Sequence, residues 1–355
     1  MENLKKKVLL TGISGSIGVH TLSQIMKNTD WDVVGVDSFR HRGFSDRLMQ
    51  HFKVHPEDQK RVSIVTHDLV APFSEFTKRK IGKVDYIINM ASLSDVQASI
   101  ENPTEFIQNN VSLVNNMLEF ARDVWGLRGG NTIPPEGTVF IQISTDEIYG
   151  AAEKDSSGHK EWEAIVPSNP YSASKACQEA IAISYWRSFG IPLIITNTMN
   201  NFAEMQSSSK YPVMIQKALM ANEEVTVHVS EKDEIGTRYY IHSQNFANAL
   251  IFLIKNKPPY RHQPEQVDRP DRYNIAGDKK LSNLEIAELI AKLMGKDLKL
   301  KYVKINFHST RPGHDLHYAL DNTKITELGW TPPISFEESL KNTITWQLEH
   351  PEWMR

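Results

Sequence analysis

The chain has a single cysteine, Cys177, in 355 residues. That excludes an intramolecular disulfide framework and any cysteine-based zinc cluster, and it suits a reducing compartment. No apolar stretch approaches the roughly 20 residues that a membrane-spanning helix needs. Charge of one sign is also missing. Forty basic residues stand against 43 acidic ones, a formal net charge of −3, and no long basic run argues for nucleic acid. The 13 histidines form no HExxH or comparable ligand cluster, so no metal is expected. Internal repeats and low-complexity tracts are absent. The start, MENLKKKVLLTG, is basic, but its apolar run breaks after three residues. It is expected to be a first strand rather than a signal peptide. A cytoplasmic protein is the resulting expectation. What remains is ordinary: 40% apolar and 23% charged residues, with length for one large or two modest domains.

The first half alternates short β-rich runs with helical patterns. Candidate strands are 6–12, 31–38, 61–69, 84–92, 137–145 and 192–200, with helical stretches at 17–28, 102–125 and 169–189. The strands are near-continuously apolar, as when helices cover both faces of a parallel sheet. The expected fold is therefore α/β, a Rossmann-like doubly wound parallel sheet. After about residue 200 the pattern loosens. Short strands (TVHVS, RYYIH, RYNIAG, LKLKYVKI) mix with helices at 243–255 and 282–294, and 255–272 is a proline-rich polar connection. This second part is expected to be a smaller C-terminal α/β unit that closes over the first.

The run TGISGSIG (11–18) sits where the first strand gives way to a helix. Gly12, Gly15 and Gly18 let the backbone approach a pyrophosphate, which the helix N-terminus, at Ser16 and Ile17, then stabilises. Asp37 ends the second strand, where a carboxylate accepts from the adenosine ribose hydroxyls. That favours NAD over NADP; Arg40 and Arg42 close by keep NADP as the minority reading. Asp68, ending the third strand, reads as either an adenine contact or a turn aspartate.

YSASK places Tyr171 and Lys175 four residues apart on one helix face. A phenol titrates near 10 and is a poor base at neutral pH, and an adjacent ammonium favours its anion. Tyr171 can then take a hydroxyl proton while a nicotinamide accepts hydride from the same carbon. Upstream, GTVFIQISTDEIYG ends an apolar strand with Thr145 and two adjacent carboxylates, Asp146 and Glu147. Neighbours on a regular strand point to opposite faces, so both reach one site only if the strand ends there.

TGxxGxxG, Asp37, STDEIYG and YSASK together resemble an extended short-chain dehydrogenase/reductase acting on nucleotide sugars. The Thr-Asp-Glu triplet is similar to that of the dTDP-glucose 4,6-dehydratases. The likeness continues through SNPYSASKA, NTMNNF, TRYYIHSQNFA and the segment from RPGHD to NTITW. It implies an NAD-dependent nucleotide-sugar 4,6-dehydratase. Tyr171, positioned by Thr145, removes the 4-hydroxyl proton; Glu147 takes the C5 proton; Asp146 protonates the departing 6-hydroxyl; hydride then returns to C6, leaving a 4-keto-6-deoxy sugar. The resemblance also implies that Leu69, Ala91, Tyr171 and Lys175 join Gly12, Gly15, Ser16, Ile17, Gly18, Asp37 and Asp68 at the cofactor. It implies that Ser94, Asn200, Asn201, Lys210, Arg238, Arg311 and His314 meet the nucleotide sugar, and that two copies pair as a homodimer through helices 102–125 and 171–189. Residues 1–200 are expected to form the NAD-binding domain with the catalytic groups. Residues 201–355 are expected to form mainly the nucleotide-sugar domain, with chain crossing back around 236–260.

The chain departs from the family at several places. Ile13 stands where a second glycine is usual. In ASLSDVQ (91–97), Leu93, Asp95 and Gln97 replace groups expected near the sugar, and NNFAEMQSSSKYP (200–212) is also rewritten. Which sugar and which base therefore stay open. The alternatives are an epimerase or decarboxylase of the same superfamily, which has no need of both acids, and a non-catalytic NAD-binding protein, which has no need of the tyrosine and lysine. Cys177 is expected to be a packing residue, and His20 and His242 ordinary packed or surface histidines.

Overall fold

The structure is a computed structural model that describes residues 5–40, 44–128, 132–154, 156–263, 266, 268–306, 309 and 312–354. Its strands are β1 (Lys7–Thr11), β2 (Asp32–Asp37), β3 (Val62–Thr66), β4 (Tyr86–Asn89), β5 (Val139–Thr145), β6 (Leu193–Thr198), β7 (Asn201–Phe202), β8 (Val225–Val229), β9 (Thr237–Tyr239), β10 (Ile241–His242), β11 (Asp271–Ile275), β12 (Lys280–Ser282) and β13 (Leu300–Lys304). Its helices are α1 (Ser16–Asn28), α2 (Phe44–Val54), α3 (Glu75–Ile81), α4 (Val96–Glu101), α5 (Pro103–Val124), α6 (Pro170–Phe189), α7 (Tyr211–Met220), α8 (Ser243–Asn256), α9 (Asn283–Met294), α10 (Thr323–Glu327) and α11 (Phe336–Glu349).

Seven parallel strands form the main sheet in the order β11-β6-β5-β4-β1-β2-β3. Side chains alternate across it, and each face is apolar. Leu9, Val34, Ile87, Phe140 and Ile195 pack with Leu113, Met117 and Trp186 of α5 and α6. Val8, Leu10, Val33, Ile88 and Ile194 pack with Leu22, Ile25, Phe246 and Leu250 of α1 and α8. Burial on both faces explains the continuous apolar runs. Strand order reverses between β1 and β4, and there the crossover helices leave in opposite directions, opening a crevice at the strands' carboxyl ends.

One strand differs from expectation. RYNIAG, read as part of the loosened second half, is β11, the seventh strand and one edge of the main sheet. All five of its residues are buried. Its aspartate, arginine and asparagine hid it from an apolar reading, and the arginine is neutralised inside the protein by Glu179 of α6.

The remaining strands make three small pairs, β10-β7 and β13-β8 parallel and β12-β9 antiparallel. A third apolar cluster joins α7, α9 and α11 through Ile215, Leu219, Ile286, Ile290, Leu340 and Ile344.

Candidate active site

A cleft of about 810 Å³ runs across the carboxyl end of the sheet. At one end lies the glycine turn. Gly12 has φ +68, and a Cβ there would sit 3.1 Å from the Ala91 Cα. A Cβ on Gly18 would lie 2.0 Å from the Gly12 carbonyl oxygen, so α1 can start this close to the turn only with glycine there. Ile13, in place of a glycine, is fully buried and points away from the cleft into β2. Gly35 makes the room, since a Cβ on it would meet the Ile13 Cδ1 at 2.3 Å.

Gly12, Gly15, Ser16, Ile17, Gly18, Asp37, Asp68, Leu69 and Ala91 all line this end. The Asp37 carboxylate accepts from Ser14, at 3.1 Å from the amide and 2.6 Å from the hydroxyl, and from the Phe39 amide at 3.0 Å. Asp68 caps the Val70 amide at 3.1 Å and pairs with Arg40 at 3.1 Å. Arg40 also donates to the Asn109 Oδ1 at 2.8 Å, so its fork spans this end of the cleft. Arg42 lies outside the described residues.

At the centre, β5 stops at Thr145 and a 3₁₀ turn over Asp146–Ile148 follows, capped by the Thr145 hydroxyl. The turn breaks the alternation, and Asp146 and Glu147 both line the cleft beside Thr145, Tyr171 and Lys175. Asp146 is buried and receives the Thr145 hydroxyl at 3.0 Å. Loss of solvation, then the charge of Glu147, pushes its carboxyl up to about 8. Burial also raises Glu147, but the Asn169 amide, Lys210 and Arg238 pull the other way. Asn169 donates to the Glu147 Oε2 at 2.9 Å.

Tyr171 and Lys175 lie one turn apart on α6. Lys175 donates to the Ile143 carbonyl at 2.7 Å and the Gln178 Oε1 at 2.6 Å, and burial lowers it to about 7. The expected pull of this ammonium on the phenol is not what governs Tyr171. Burial and the charge of Glu147 raise it. Two of the three donor hydrogens of Lys175 go to Ile143 and Gln178, which leaves one for a ligand in the cleft.

Sequence reasoning missed the polar chain beneath these groups. The Thr11 hydroxyl donates to the Asn89 Oδ1 at 2.9 Å, Asn89 to the Gln142 Oε1 at 2.8 Å, and Gln142 to the Gln178 Oε1 at 3.1 Å, where Lys175 also donates. The glycine turn and the lysine are thus joined through four elements. The signal was available: an amide in each of two otherwise apolar strands, YIIN and VFIQIST, has to be hydrogen-bonded.

Toward the far end, Ser94, Asn200, Asn201, Lys210, Arg238 and His314 line the cleft. Asn200 is left-handed at φ 36. Arg238 donates to the Asn283 Oδ1 at 3.1 Å and lies over the Tyr318 ring. Arg311 lies outside the described residues. Two departures assigned to the sugar pocket belong elsewhere. Asp95 is an exposed cap that accepts from the Ala98 amide of α4 at 2.9 Å, and exposed Gln97 bonds to Glu101. Leu93 alone of the three lines the cleft. Tyr211, Thr226, His228 and Asn283 also line it and were not foreseen. Cys177, expected to pack, is exposed on α6. His20 and His242 are buried around Glu204.

Comparisons with known proteins agree with this geometry. The dTDP-glucose 4,6-dehydratase of Neisseria meningitidis serogroup B is 31% identical over 98% of this chain and 95% of its own length. The Haemophilus influenzae dTDP-glucose 4,6-dehydratase is 29% identical over 96% of this chain and 97% of its own. A Streptomyces venezuelae dTDP-glucose 4,6-dehydratase solved with NAD bound superposes with a TM-score of 0.80 and 26% identity, covering 98% of both chains. A UDP-glucuronic acid 4-epimerase from Bacillus cereus, 20% identical with a TM-score of 0.79 over 97% and 99% of the two chains, shares the fold. The family model described as GDP-mannose 4,6 dehydratase matches residues 9–343, and the chain belongs to that family.

Proposed function

We propose that the protein is an NAD-dependent nucleotide-sugar 4,6-dehydratase, a hydro-lyase that converts a nucleoside diphosphate hexose to its 4-keto-6-deoxy form. The observation that carries the reading is the turn after β5, which aims two adjacent carboxyls into one cleft beside a tyrosine. Relatives and a solved neighbour named as dTDP-glucose 4,6-dehydratases support it.

The residues fit NAD. The glycine turn, packed too closely on Ala91 and on its own carbonyls for a Cβ at Gly12 or Gly18, lines the cleft at the start of a 13-residue helix. Gly12, Gly15 and Gly18 would hold the pyrophosphate, Asp37 the adenosine ribose, and Lys175 the nicotinamide ribose. When bound, NAD accepts a hydride from C4 of the sugar and later returns it to C6.

The chain's own groups manage the protons. Tyr171, with Thr145 beside it, receives the 4-hydroxyl proton. A ketone at C4 acidifies the C5 proton, which the Glu147 carboxylate removes. Asp146, titrating at about 8, holds a proton at neutral pH and delivers it to the departing 6-hydroxyl. Elimination of a poor leaving group needs an acid and a base together, and here two adjacent carboxyls have different partners, the Thr145 hydroxyl for Asp146 and the Asn169 amide for Glu147. An epimerase has no use for this pair.

The same proposal assigns residues 1–200 to the coenzyme and the proton-transfer groups. It assigns 201–355 mainly to the nucleotide sugar, with Asn201, Lys210, Arg238 and His314 at the hexose and phosphates. It further holds that two copies pair through the outer faces of α5 and α6 and that the enzyme works in the cytoplasm.

The test is incubation with NAD and a panel of dTDP-, UDP-, CDP- and GDP-hexoses, with products read by mass spectrometry. Loss of one water from a panel member, abolished by Glu147→Gln, is expected. Isomerisation without a change in mass, or loss of carbon dioxide from a uronic acid, would overturn the reading.

A further inference from the structure

We infer that Asn169 is a positioning residue, whose one amide ties Glu147 to the helix end presenting Tyr171 and Lys175 and to the 312–315 loop. The inference rests on the proposed role of Glu147 as the base.

Asn169 is 6% exposed and uses its amide completely. Its Oδ1 accepts from the Ser172 amide at 2.8 Å, the cap that starts α6 just before Tyr171. Its Nδ2 donates to the Glu147 Oε2 at 2.9 Å and to the Gly313 carbonyl at 2.9 Å. The loop is pressed onto this point. A Cβ on Gly313, which has φ +75, would lie 2.9 Å from the Asn169 Cβ and 3.0 Å from the Ser168 carbonyl oxygen. Next door, Ser168 donates to the Asp315 Oδ2 at 2.7 Å, and His314 between them lines the cleft.

A planar amide suits this junction, since it offers one acceptor and two donor hydrogens in a fixed plane. A carboxylate that turns freely takes a proton from C5 only in part of its orientations, whereas one held by a donor keeps its other oxygen aimed at the substrate. The donor also favours the anion, the form a base needs. The other groups acting on Glu147 come from separate elements: Lys210 before α7 and Arg238 of β9 favour its charge, and Asp315 opposes it. Asp146, Tyr171 and Tyr318 in turn feel the charge of Glu147. Among these partners Asn169 acts through a hydrogen bond and the rest through charge, so it alone fixes direction.

The two duties of Asn169 are separable. Asn169→Ser keeps an oxygen that caps α6 but loses the donor to Glu147; Asn169→Ala loses both. The readout is titration of the Glu147 carboxyl by carbon-13 NMR of protein labelled in glutamate, with the resonance assigned by its absence in Glu147→Gln. In Asn169→Ser the midpoint should move to higher pH while thermal stability stays near wild type; in Asn169→Ala the midpoint should move alike and stability fall. Loss of a hydrogen bond to a charged group corresponds to a drop of about 10- to 100-fold in the rate of water elimination near neutral pH, recovered as pH rises. An unmoved Glu147 titration in Asn169→Ser, in a folded protein, overturns the inference. A moved titration in a protein that eliminates water from no panel sugar would leave the positioning intact and sink the dehydratase reading instead.

Discussion

Arg272→Met should be among the most damaging single changes away from the cleft. Arg272 of β11 is 1% exposed and its partner Glu179 of α6 is fully buried. The guanidinium pairs with that carboxylate, reaches the Tyr149 hydroxyl at 3.3 Å and lies 4.0 Å from the centre of the Trp162 ring. Glu179 also accepts from Asn197 at 3.0 Å. Methionine matches the volume and removes the charge, leaving a carboxylate in a dry interior. Breaking such a pair costs about 3–5 kcal/mol, whereas replacing both members by apolar residues is close to neutral. For a chain of this size the loss corresponds to a fall of roughly 4–7 °C in Tm. Burial already raises the Glu179 carboxyl against the pull of Arg272, and removing the arginine raises it further. A raised folded-state carboxyl supports the fold at low pH, and that support is lost as pH rises through its value. The deficit should therefore be larger at about pH 8 than at about pH 5.5. Urea denaturation followed by circular dichroism at both pH values, for Arg272→Met and for Arg272→Met with Glu179→Leu, tests this. A single variant that costs under about 1 kcal/mol at the higher pH, or a double variant as poor as the single, would refute the reasoning.

Three further outcomes follow from other parts of the structure. With Asp146 as proton donor, elimination should decline as pH rises through about 8, and Asp146→Asn should lower the rate by about 100- to 10,000-fold. Without any substrate, the stability of Asp146→Asn relative to wild type should grow as pH rises from about 4 and level off above about 8, because only the wild type must bury a charge there. Gly35→Ala should cost about 1–3 kcal/mol, since its Cβ falls 2.3 Å from the Ile13 Cδ1. Ile13→Ala in the same chain should recover much of that loss in a melting experiment.

Much of this was legible because a parallel sheet writes itself plainly. Strands buried on both faces are apolar throughout, and the glycine turn, Asp37, the acid pair and YSASK fall where those strands end. What stayed hidden was polar burial. RYNIAG reads as a short strand, but Asp271, Arg272 and Asn274 keep it out of the main sheet until Glu179 and the Asn274 contacts with Glu161 and His159 are placed opposite them. Asp95 looked like a pocket residue because its neighbours Leu93 and Ser94 are, but a side chain just ahead of a helix has amides to cap. Ile13 looked like a defect in the glycine pattern. Its compensation, Gly35, lies on another strand, and no local reading pairs the two.

The acid pair gives the clearest case of how the fold sets chemistry. On a continuing strand Asp146 and Glu147 would face opposite layers, and one would be trapped among apolar groups. Ending β5 at Thr145 turns both into the cleft, but it also leaves two carboxyls competing for one desolvated space. Burial raises both, and the groups that oppose it come from elsewhere in the chain. Burial and the charge of Glu147 push Asp146 up to about 8 against the weaker pull of the Thr145 hydroxyl, the turn's backbone and Arg238, so it keeps its proton. Glu147 draws on Asn169, Lys210 and Arg238, which arrive from α6, α7 and β9. The groups that favour the Glu147 anion thus come from both parts of the chain, Asn169 from the first and Lys210 and Arg238 from the second. A protein with residues 201–355 displaced would hold the same two carboxyls in the same turn and keep the Asn169 bond, but would lose the pull of Lys210 and Arg238 on Glu147.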